Sequence, residues 1–155
     1  MSVEITKEVK EAFEDPATVK ALATLDKEGI PYVVYKGSPH LNEKGQVEIY
    51  EILESSHTNS NLVYSIWFDK KAALNLLTPD RKSYQLRLKP VKSITSGHYF
   101  EQAYNSIRSN GKDIDLGAIW QFEIEDIKEE TFAVRVKEEE EAYPILKHLD
   151  RLLKK

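Results

Sequence analysis

The chain contains no cysteine among its 155 residues. Disulfide bonds, thiolate metal sites, iron–sulfur clusters and cysteine nucleophiles are therefore excluded, and the composition fits a cytoplasmic protein. Long apolar runs are also missing, so neither a membrane-spanning helix nor a secretory signal is expected. We expect a soluble protein of the cytoplasm.

An excess of positive charge is missing as well. Lys and Arg number 22 against 26 Asp and Glu, which gives a net charge of −4. Because nucleic-acid binding relies on cations that neutralise phosphates, we expect no nucleic-acid partner. The length is that of one domain, residues 1–155, and it is sufficient to bury a hydrophobic core.

The familiar motifs of several enzyme classes are absent. The sequence has no Gly-x-Ser-x-Gly elbow, Walker loop or Gly-x-Gly-x-x-Gly motif, the markers of serine hydrolases, P-loop enzymes and Rossmann dehydrogenases. His98 and Glu101 are three residues apart on a predicted helix, but two ligands do not make a metal site. No metal site is predicted.

The first half of the chain predicts a helix followed by a three-strand meander. Ile5, Val9, Ala12 and Phe13 give one apolar helix face, which Asp15-Pro16 terminates. Two glycine-containing turns of similar chemistry, residues 26–29 and 42–45, separate the strands. The strands are predicted at residues 19–25, at 30–35, and from residue 46 through the alternation of Val47, Ile49 and Leu53.

The second half predicts four more strands and the remaining helices, so that about seven antiparallel strands with flanking helices form a mainly β, α+β barrel. A barrel of this size fills its interior with side chains, so a ligand is expected at its rim or between subunits. The predicted elements are strand 71–77, strand 83–95 with a bulge at Pro90, a helix bearing Phe100, Ala103, Tyr104 and Ile107 and ended by Asn110-Gly111, a strand bearing Trp120, Phe122 and Ile124, a turn at 126–130, a strand bearing Phe132, Val134 and Val136, and an amphipathic C-terminal helix at about 138–154.

A polar cluster, residues 55–61, lies where the third predicted strand ends and a short helix begins. It consists of Ser55, Ser56, His57, Thr58, Asn59, Ser60 and Asn61. Backbone N–H groups and the positive end of the helix dipole can hold an anion such as phosphate at such a place. The same residue types also serve as ordinary helix caps, which composition alone favours.

The order of these features resembles the pyridoxamine 5′-phosphate oxidase-like family, whose members are flavin-binding split barrels. The closest match is Ala-Thr-Leu-Asp-x-x-Gly-x-Pro at residues 23–31, followed by a second glycine turn, a strand and the cluster that leads into Asn61-Leu62. The resemblance covers roughly residues 16–136. It indicates the fold more strongly than the activity.

The resemblance implies FMN bound at a homodimer interface, with its phosphate at the start of the helix after the third strand. The family pattern there is Ser-x-Lys-x-x-Asn-Leu, and alignment on Asn61-Leu62 places Thr58 at the lysine. Lys36, Lys70, Arg81 or a protonated His57 could replace that cation. The implied cofactor-binding residues are Tyr50 on the approach, Ser55, Ser56, His57, Thr58 and Asn61 at the phosphate, and Trp67 near the ring.

Two functions follow from this resemblance. The first is an oxidoreductase that moves a hydride or electrons through FMN, with no catalytic residue or substrate identified. The second is a non-catalytic binding or sensing protein that has lost FMN or binds another planar cofactor such as haem, with His40, His57 and His98 as the candidate axial ligands. Trp67 and Trp120 could flank a planar ring, although aromatic residues in a barrel more often belong to its core.

Overall fold

The computed structural model describes residues 3–109 and 114–144. Within these ranges one antiparallel sheet has the strand order β2-β1-β5-β6-β7-β4-β3 and is accompanied by helices. The strands are β1 Val19–Leu25, β2 Pro31–Tyr35, β3 His40–Leu41, β4 Val47–Glu51, β5 Ala72–Leu77, β6 Ser83–Ile94 and β7 Ala118–Glu129. The helices are α1 Lys7–Glu14, α2 His57–Phe68, α3 His98–Arg108 and α4 Phe132–Ala142.

The sheet curls around one apolar core, so the predicted α+β split barrel is confirmed. Alternation along the strands places every second residue inside, and the residues that form the core are at most 5% exposed. The inward residues of β6 are Tyr84, Leu86 and Leu88, as the alternation predicts. The other large members of the core are Leu22, Val47, Ile49, Leu62, Leu74, Leu76, Trp120 and Phe122, with Val9 and Phe13 of α1.

A second, smaller apolar cluster lies between α3 and the outer side of β4, β6 and β7. The predicted apolar stripe of α3 faces it, which confirms that helix. Its members are Ala103, Leu116 and Ile119, with Tyr50, Ile94, Phe100, Tyr104 and Ile107 packed against them. The pairing of β6 with β7 shifts register at Pro90, where the bulge was predicted.

The three-strand meander is wrong in its pairing. β2 pairs with β1, through Val33 and Ala23 for example, but β4 pairs with β7, through Ile49 and Trp120. The turn of residues 42–45 instead joins β4 to β3, a two-residue strand that periodicity does not reveal. Both glycines have the left-handed φ that these turns require, 79° at Gly29 and 75° at Gly45.

The predicted turn at 126–130 and the strand at 132–136 are also wrong. β7 continues to Glu129 because β6 is long enough to pair with it, as Tyr84 does with Glu129. Phe132, Val134 and Val136 lie in α4, which buries no residue. Residues 138–142 of the predicted helix at 138–154 lie in α4, which begins at Phe132 and ends at Ala142. Residues 145–155 and the predicted helix end at Asn110-Gly111 lie outside the described residues.

Across residues 3–109 and 114–144, none of the helices has the length and apolar character that crossing a membrane requires.

Candidate functional site

The polar cluster lies at the first turn of α2, directly after β4. We call residues 52–58 the α2 corner. Ser56 caps the helix, since its Oγ accepts a hydrogen bond from the amide of Asn59 at 3.0 Å and its own amide donates to the carbonyl of Leu53. Among the described residues, the amides of His57 and Thr58 have no acceptor. Two N–H groups at the positive end of the α2 dipole are therefore open.

The predicted phosphate-binding side chains divide into an exposed and a buried set. Ser55 and His57 are exposed, and the His57 ring lies 5.4 Å from the ring of Tyr32. Thr58 is only 2% exposed and Asn61 only 8%. The Asn61 side-chain amide donates to Thr24 Oγ1 at 3.0 Å, which fixes α2 to β1. The buried pair thus supports the helix, and the exposed pair faces solvent.

Tyr50 and Trp67 lie away from the α2 corner. Tyr50 packs under α3 with its ring 4.9 Å from that of His40, and burial, followed by the charge of Glu48, raises the pKa of its phenol. Trp67 is 79% exposed near the other end of α2. Trp67 follows His57 by ten positions along α2, a distance of about 15 Å along the helix axis. The structure therefore brings together Ser55, Ser56, His57, Thr58 and Asn61 but neither aromatic residue.

Trp120 is part of the core. It is 2% exposed, and its indole N–H donates to Asn59 Oδ1 at 2.9 Å. This bond joins the first turn of α2 to β7. Trp120 is therefore a packing residue that orients the helix.

Sequence analysis suggested Lys36, Lys70 and Arg81 as cations that could replace the family lysine. Lys36 is already paired with a carboxylate, and the other two lie away from the α2 corner. The Lys36 ammonium lies 3.0 Å from the carboxylate of Glu51, and both side chains are largely buried. Lys70 follows the C-terminal end of α2, and Arg81 lies in the turn at the far end of β5. His57 is the one candidate that the fold places at the corner.

Glu51 anchors the α2 corner. Its carboxylate accepts from the amide of Leu53 at 3.3 Å, and its carbonyl accepts from the amide of Gly117 at 2.8 Å. A Cβ on Gly117 would lie 2.9 Å from Glu54 Cγ and 3.2 Å from the Glu51 carbonyl oxygen, so the two segments approach as closely as a glycine allows. The corner is held in place without using the hydroxyl of Ser55.

A buried carboxylate, which sequence analysis missed, lies at the start of β4. Glu48 is 1% exposed, although it lies on the side of β4 opposite to the core residues Val47 and Ile49. The donors around it are the Tyr99 hydroxyl at 2.8 and 2.7 Å, Gln121 Nε2 at 2.9 Å, His40 Nε2 at 3.0 Å and Asn42 Nδ2 at 3.4 Å. Burial alone would raise the pKa of Glu48, but these hydrogen bonds outweigh burial and lower it. Burial, with the hydrogen bond to Glu48, raises the pKa of Tyr99 far above its ordinary value.

The three candidate axial histidines differ in availability. Both ring nitrogens of His40 are hydrogen bonded, to the Ser38 carbonyl and to Glu48. His98 Nε2 accepts from the side-chain amide of Gln102 at 3.1 Å. The ring nitrogens of His57 have no hydrogen-bond partner in the part of the chain that the structure describes.

A cleft of about 360 Å³ lies on the outer side of the sheet. The small side chains of Ala23 and Ala73 give the cleft a flat base. The cationic residues Lys71, Arg87 and Lys128 lie around it. Glu125 lies 3.1 Å from the Lys71 ammonium and 3.7 Å from Arg87 Nε. The remaining residues that line the cleft are Thr24, Leu25, Pro31, Ala72, Gln85 and Asp126.

The outer side of β2, β1 and β5 carries exposed apolar residues. We call it the outer face. Strand pairing places Val33 beside Ala23, Tyr35 beside Ala21, and Val19 beside Leu77. The exposed fractions are 46% for Val19, 63% for Val33, 80% for Tyr35 and 41% for Leu77.

Comparison with known proteins identifies solved structures of the same fold. Neither a family model nor a curated protein matches the chain. Group A Streptococcus HupZ is 21% identical with a TM-score of 0.68, covering 83% of this chain and 96% of that one. A putative pyridoxamine 5′-phosphate oxidase from Lactobacillus delbrueckii is 18% identical with a TM-score of 0.62, covering 80% and 93%. An FMN-binding protein from Syntrophomonas wolfei is 14% identical with a TM-score of 0.61, covering 79% and 88%. These similarities are at the level of the fold.

Proposed function

We propose that this chain, which has the fold of the pyridoxamine 5′-phosphate oxidase-like split barrels, is a homodimeric FMN-binding flavoprotein that transfers a hydride or electrons. The observation that carries the proposal is the α2 corner, where open backbone donors and an exposed hydroxyl lie at a helix start. The same fold is found in a protein described as FMN-binding.

The α2 corner fits a phosphate monoester. The amides of His57 and Thr58 point out of the first turn, Ser55 adds a hydroxyl, and no carboxylate bonds to any of the three. Backbone donors at a helix start bind phosphate without a lysine, although a charge-assisted contact would add roughly 1.5–3 kcal/mol. Bound FMN would supply the redox chemistry, and the chain would bind and orient it.

The flavin ring needs a second surface. α2 packs on the inward-pointing Thr24, whereas the cleft is lined by the outward-pointing Ala23, Ala73 and Arg87. The cleft volume of about 360 Å³ lies within the range of ligand pockets, and its alanine floor suits a flat ring. A second copy would place its cleft against the α2 corner of the first.

The outer face supports a homodimer. Its exposed valine, tyrosine and leucine side chains form a continuous apolar patch next to the cleft. Contiguous apolar surface of this kind typically marks a protein interface. We propose that the outer face is buried between two copies, as the family resemblance implies.

Cofactor binding is tested on the purified protein. We expect flavin absorbance and release of FMN on denaturation. Ser55→Asp places a negative charge beside the phosphate and should weaken FMN binding at least tenfold, whereas Ser106→Asp, exposed on α3, should not. A colourless protein that added FMN does not stabilise thermally would contradict the proposal.

The dimer is tested by Val33→Glu. A charge in the centre of the outer face should convert the dimer to a monomer in sedimentation experiments while the far-UV circular dichroism remains unchanged, since Val33 is already 63% exposed in one chain. Phe132→Glu on α4, where the residue is 82% exposed, is the matched control and should leave the dimer intact. A monomeric wild type would refute the assignment.

One observation favours the second function, a binding or sensing protein without FMN. The α2 corner has no permanent cation, and His57 presents an exposed imidazole whose nitrogens are open within the described residues. Such a group can ligate haem iron. A Soret band on haem addition that His57→Ala abolishes, together with an absence of FMN binding, would establish this alternative.

A further inference from the structure

The inference concerns the buried carboxylate of Glu48 and the imidazole beside it. His40 lies on β3, Glu48 lies opposite it on β4, and Tyr99 reaches them from the first turn of α3. Each is bonded to at least one of the others, at 3.0 Å between His40 and Glu48 and at 2.7 Å between Tyr99 and Glu48. This cluster joins an edge strand and a helix to one buried charge.

Both ring nitrogens of His40 lie against hydrogen-bond acceptors. Its Nδ1 lies 2.8 Å from the carbonyl oxygen of Ser38, which can only accept. Its Nε2 faces a Glu48 oxygen that also lies 2.8 Å from the Tyr99 hydroxyl. Gln121 and Asn42 donate to the other oxygen of the carboxylate. Because both ring nitrogens face acceptors, the two hydrogen bonds can form together only when the imidazole carries two protons and a positive charge.

His40 supplies one of the few contacts that attach β3. β3 has only the two residue pairs His40–Glu48 and Leu41–Val47, and it forms the edge of the sheet. Leu41 packs towards the core, where α1 contributes Ile5, and Asn42 in the turn bonds to Gln46 and Glu48. A neutral imidazole would keep only one of its two hydrogen bonds and lose the ion pair.

We propose that His40, Glu48 and Tyr99 form a pH-operated latch that holds β3 on β4 while His40 is charged and releases β3 as the pH rises. The His40 side chain is 35% exposed, so solvent can exchange its proton. Imidazole groups change charge in the physiological range. The groups that face the latch are Glu48 and Tyr50 of β4, Tyr99 of α3 and, near Tyr99, Glu43 of the turn.

Release of the latch would reach the α2 corner. The segment that enters β3 begins at Lys36, whose ammonium holds Glu51. Ser38 lies between them, and its hydroxyl both accepts from the Tyr50 amide and donates to the Tyr50 carbonyl. Opening β3 therefore loosens an anchor of the corner, whereas Tyr99 keeps α3 in place until Glu48 itself is protonated.

The charge state is tested by nuclear magnetic resonance of the His40 ring nitrogens. We expect both nitrogens to be protonated under the conditions in which the Tyr50 amide is protected by Ser38, and only one nitrogen where raising the pH removes that protection. A ring with a single proton while that amide is fully protected would overturn the proposal. This measurement uses the wild-type protein and requires no variant to fold.

The release is tested by hydrogen exchange corrected for intrinsic rates. The Tyr50 amide, bonded to Ser38 Oγ, should lose about tenfold of its protection between pH 6 and 9, the effect of losing one charged hydrogen bond. The Glu130 amide, bonded to the Ser83 carbonyl just after the end of β7, is remote from β3 and should not change. In His40→Gln the Tyr50 protection should be low and independent of pH, while His98→Gln should behave as wild type. Parallel behaviour of the two amides in the wild type would overturn the proposal.

Discussion

The two ends of β4 are both polar but differ in how their polar groups are satisfied. At the start, Glu48 is 1% exposed and surrounded by donors. Just beyond the end, Ser55 and His57 are exposed and two backbone amides have no acceptor in the described structure. A satisfied buried network stabilises the fold, whereas open donors contribute little stability and remain available to a ligand. Under the proposed function, stability and ligand binding therefore depend on different ends of one strand.

Glu48→Ala should disrupt the hydrogen-bond network at the start of β4 and produce the largest loss of stability. Removing the carboxylate leaves the His40 imidazole and the Tyr99 hydroxyl without their partner in the interior, so we expect the free energy of unfolding to fall by about 3 kcal/mol. Urea denaturation measures this loss. Glu54→Ala, an exposed residue of the α2 corner, is the control and should change stability by less than about 0.5 kcal/mol. Equal losses of unfolding free energy in the two variants would show that the start of β4 stabilises the fold no more than the α2 corner does.

His57→Lys should strengthen ligand binding at the end of β4 where the backbone donors are open. A permanent cation at the first residue of α2 should tighten FMN binding about tenfold through a charge-assisted contact, measured by calorimetry. The same cation opposes the helix dipole, so the free protein should lose about 0.3–1 kcal/mol of stability. His98→Lys, at the first residue of α3, should carry a similar dipole cost and leave FMN affinity unchanged. An affinity gain in both variants would place the phosphate elsewhere.

Ser56→Ala should have the smallest effect of the three. Ser56 is the residue of the corner that the helix uses, so loss of its bond to the Asn59 amide should cost about 1 kcal/mol. Ser55→Ala should leave stability within about 0.5 kcal/mol of wild type, because no hydrogen bond of the Ser55 side chain supports the described structure. Thermal unfolding of the two variants without cofactor makes the comparison. If Ser55→Ala proved the more damaging, Ser56 would not be the cap.

Local periodicity predicts most of the elements correctly. The apolar stripes of α1 and α3 and the alternation in β1, β5 and β6 each match the structure, since one face of each element packs on an apolar cluster. The pattern failed at Phe132, Val134 and Val136, whose strand-like alternation lies in a helix without buried residues. Alternation indicates a strand only where a neighbouring strand is available to pair, and β6 already pairs with β7 up to Glu129.

A single sequence does not show which strands pair with each other or which polar side chains are buried. β4 alternates as predicted, yet nothing within it indicates that β7 rather than β2 lies beside it. Glu48 has the position of a solvated residue, and it is buried because Tyr99, fifty-one residues later, covers it. At the candidate site, the cap of Ser56 follows from local chemistry, whereas the burial of Thr58 depends on how α2 packs.

The irregular pairing of β6 keeps the two apolar clusters apart. Val91 is an extra residue between the pairs Pro90–Phe122 and Lys92–Gln121, so the strand changes which side its even-numbered residues present. Pro90 is buried and pairs with the core residue Phe122, while Ile94 pairs with Ile119 beneath α3. If the same residues paired without this bulge, strict alternation would turn Ile94 inward and take away the surface on which α3 packs. In this part of β6, the packing of α3 therefore depends more on which face of the sheet each residue occupies than on the identity of any single side chain.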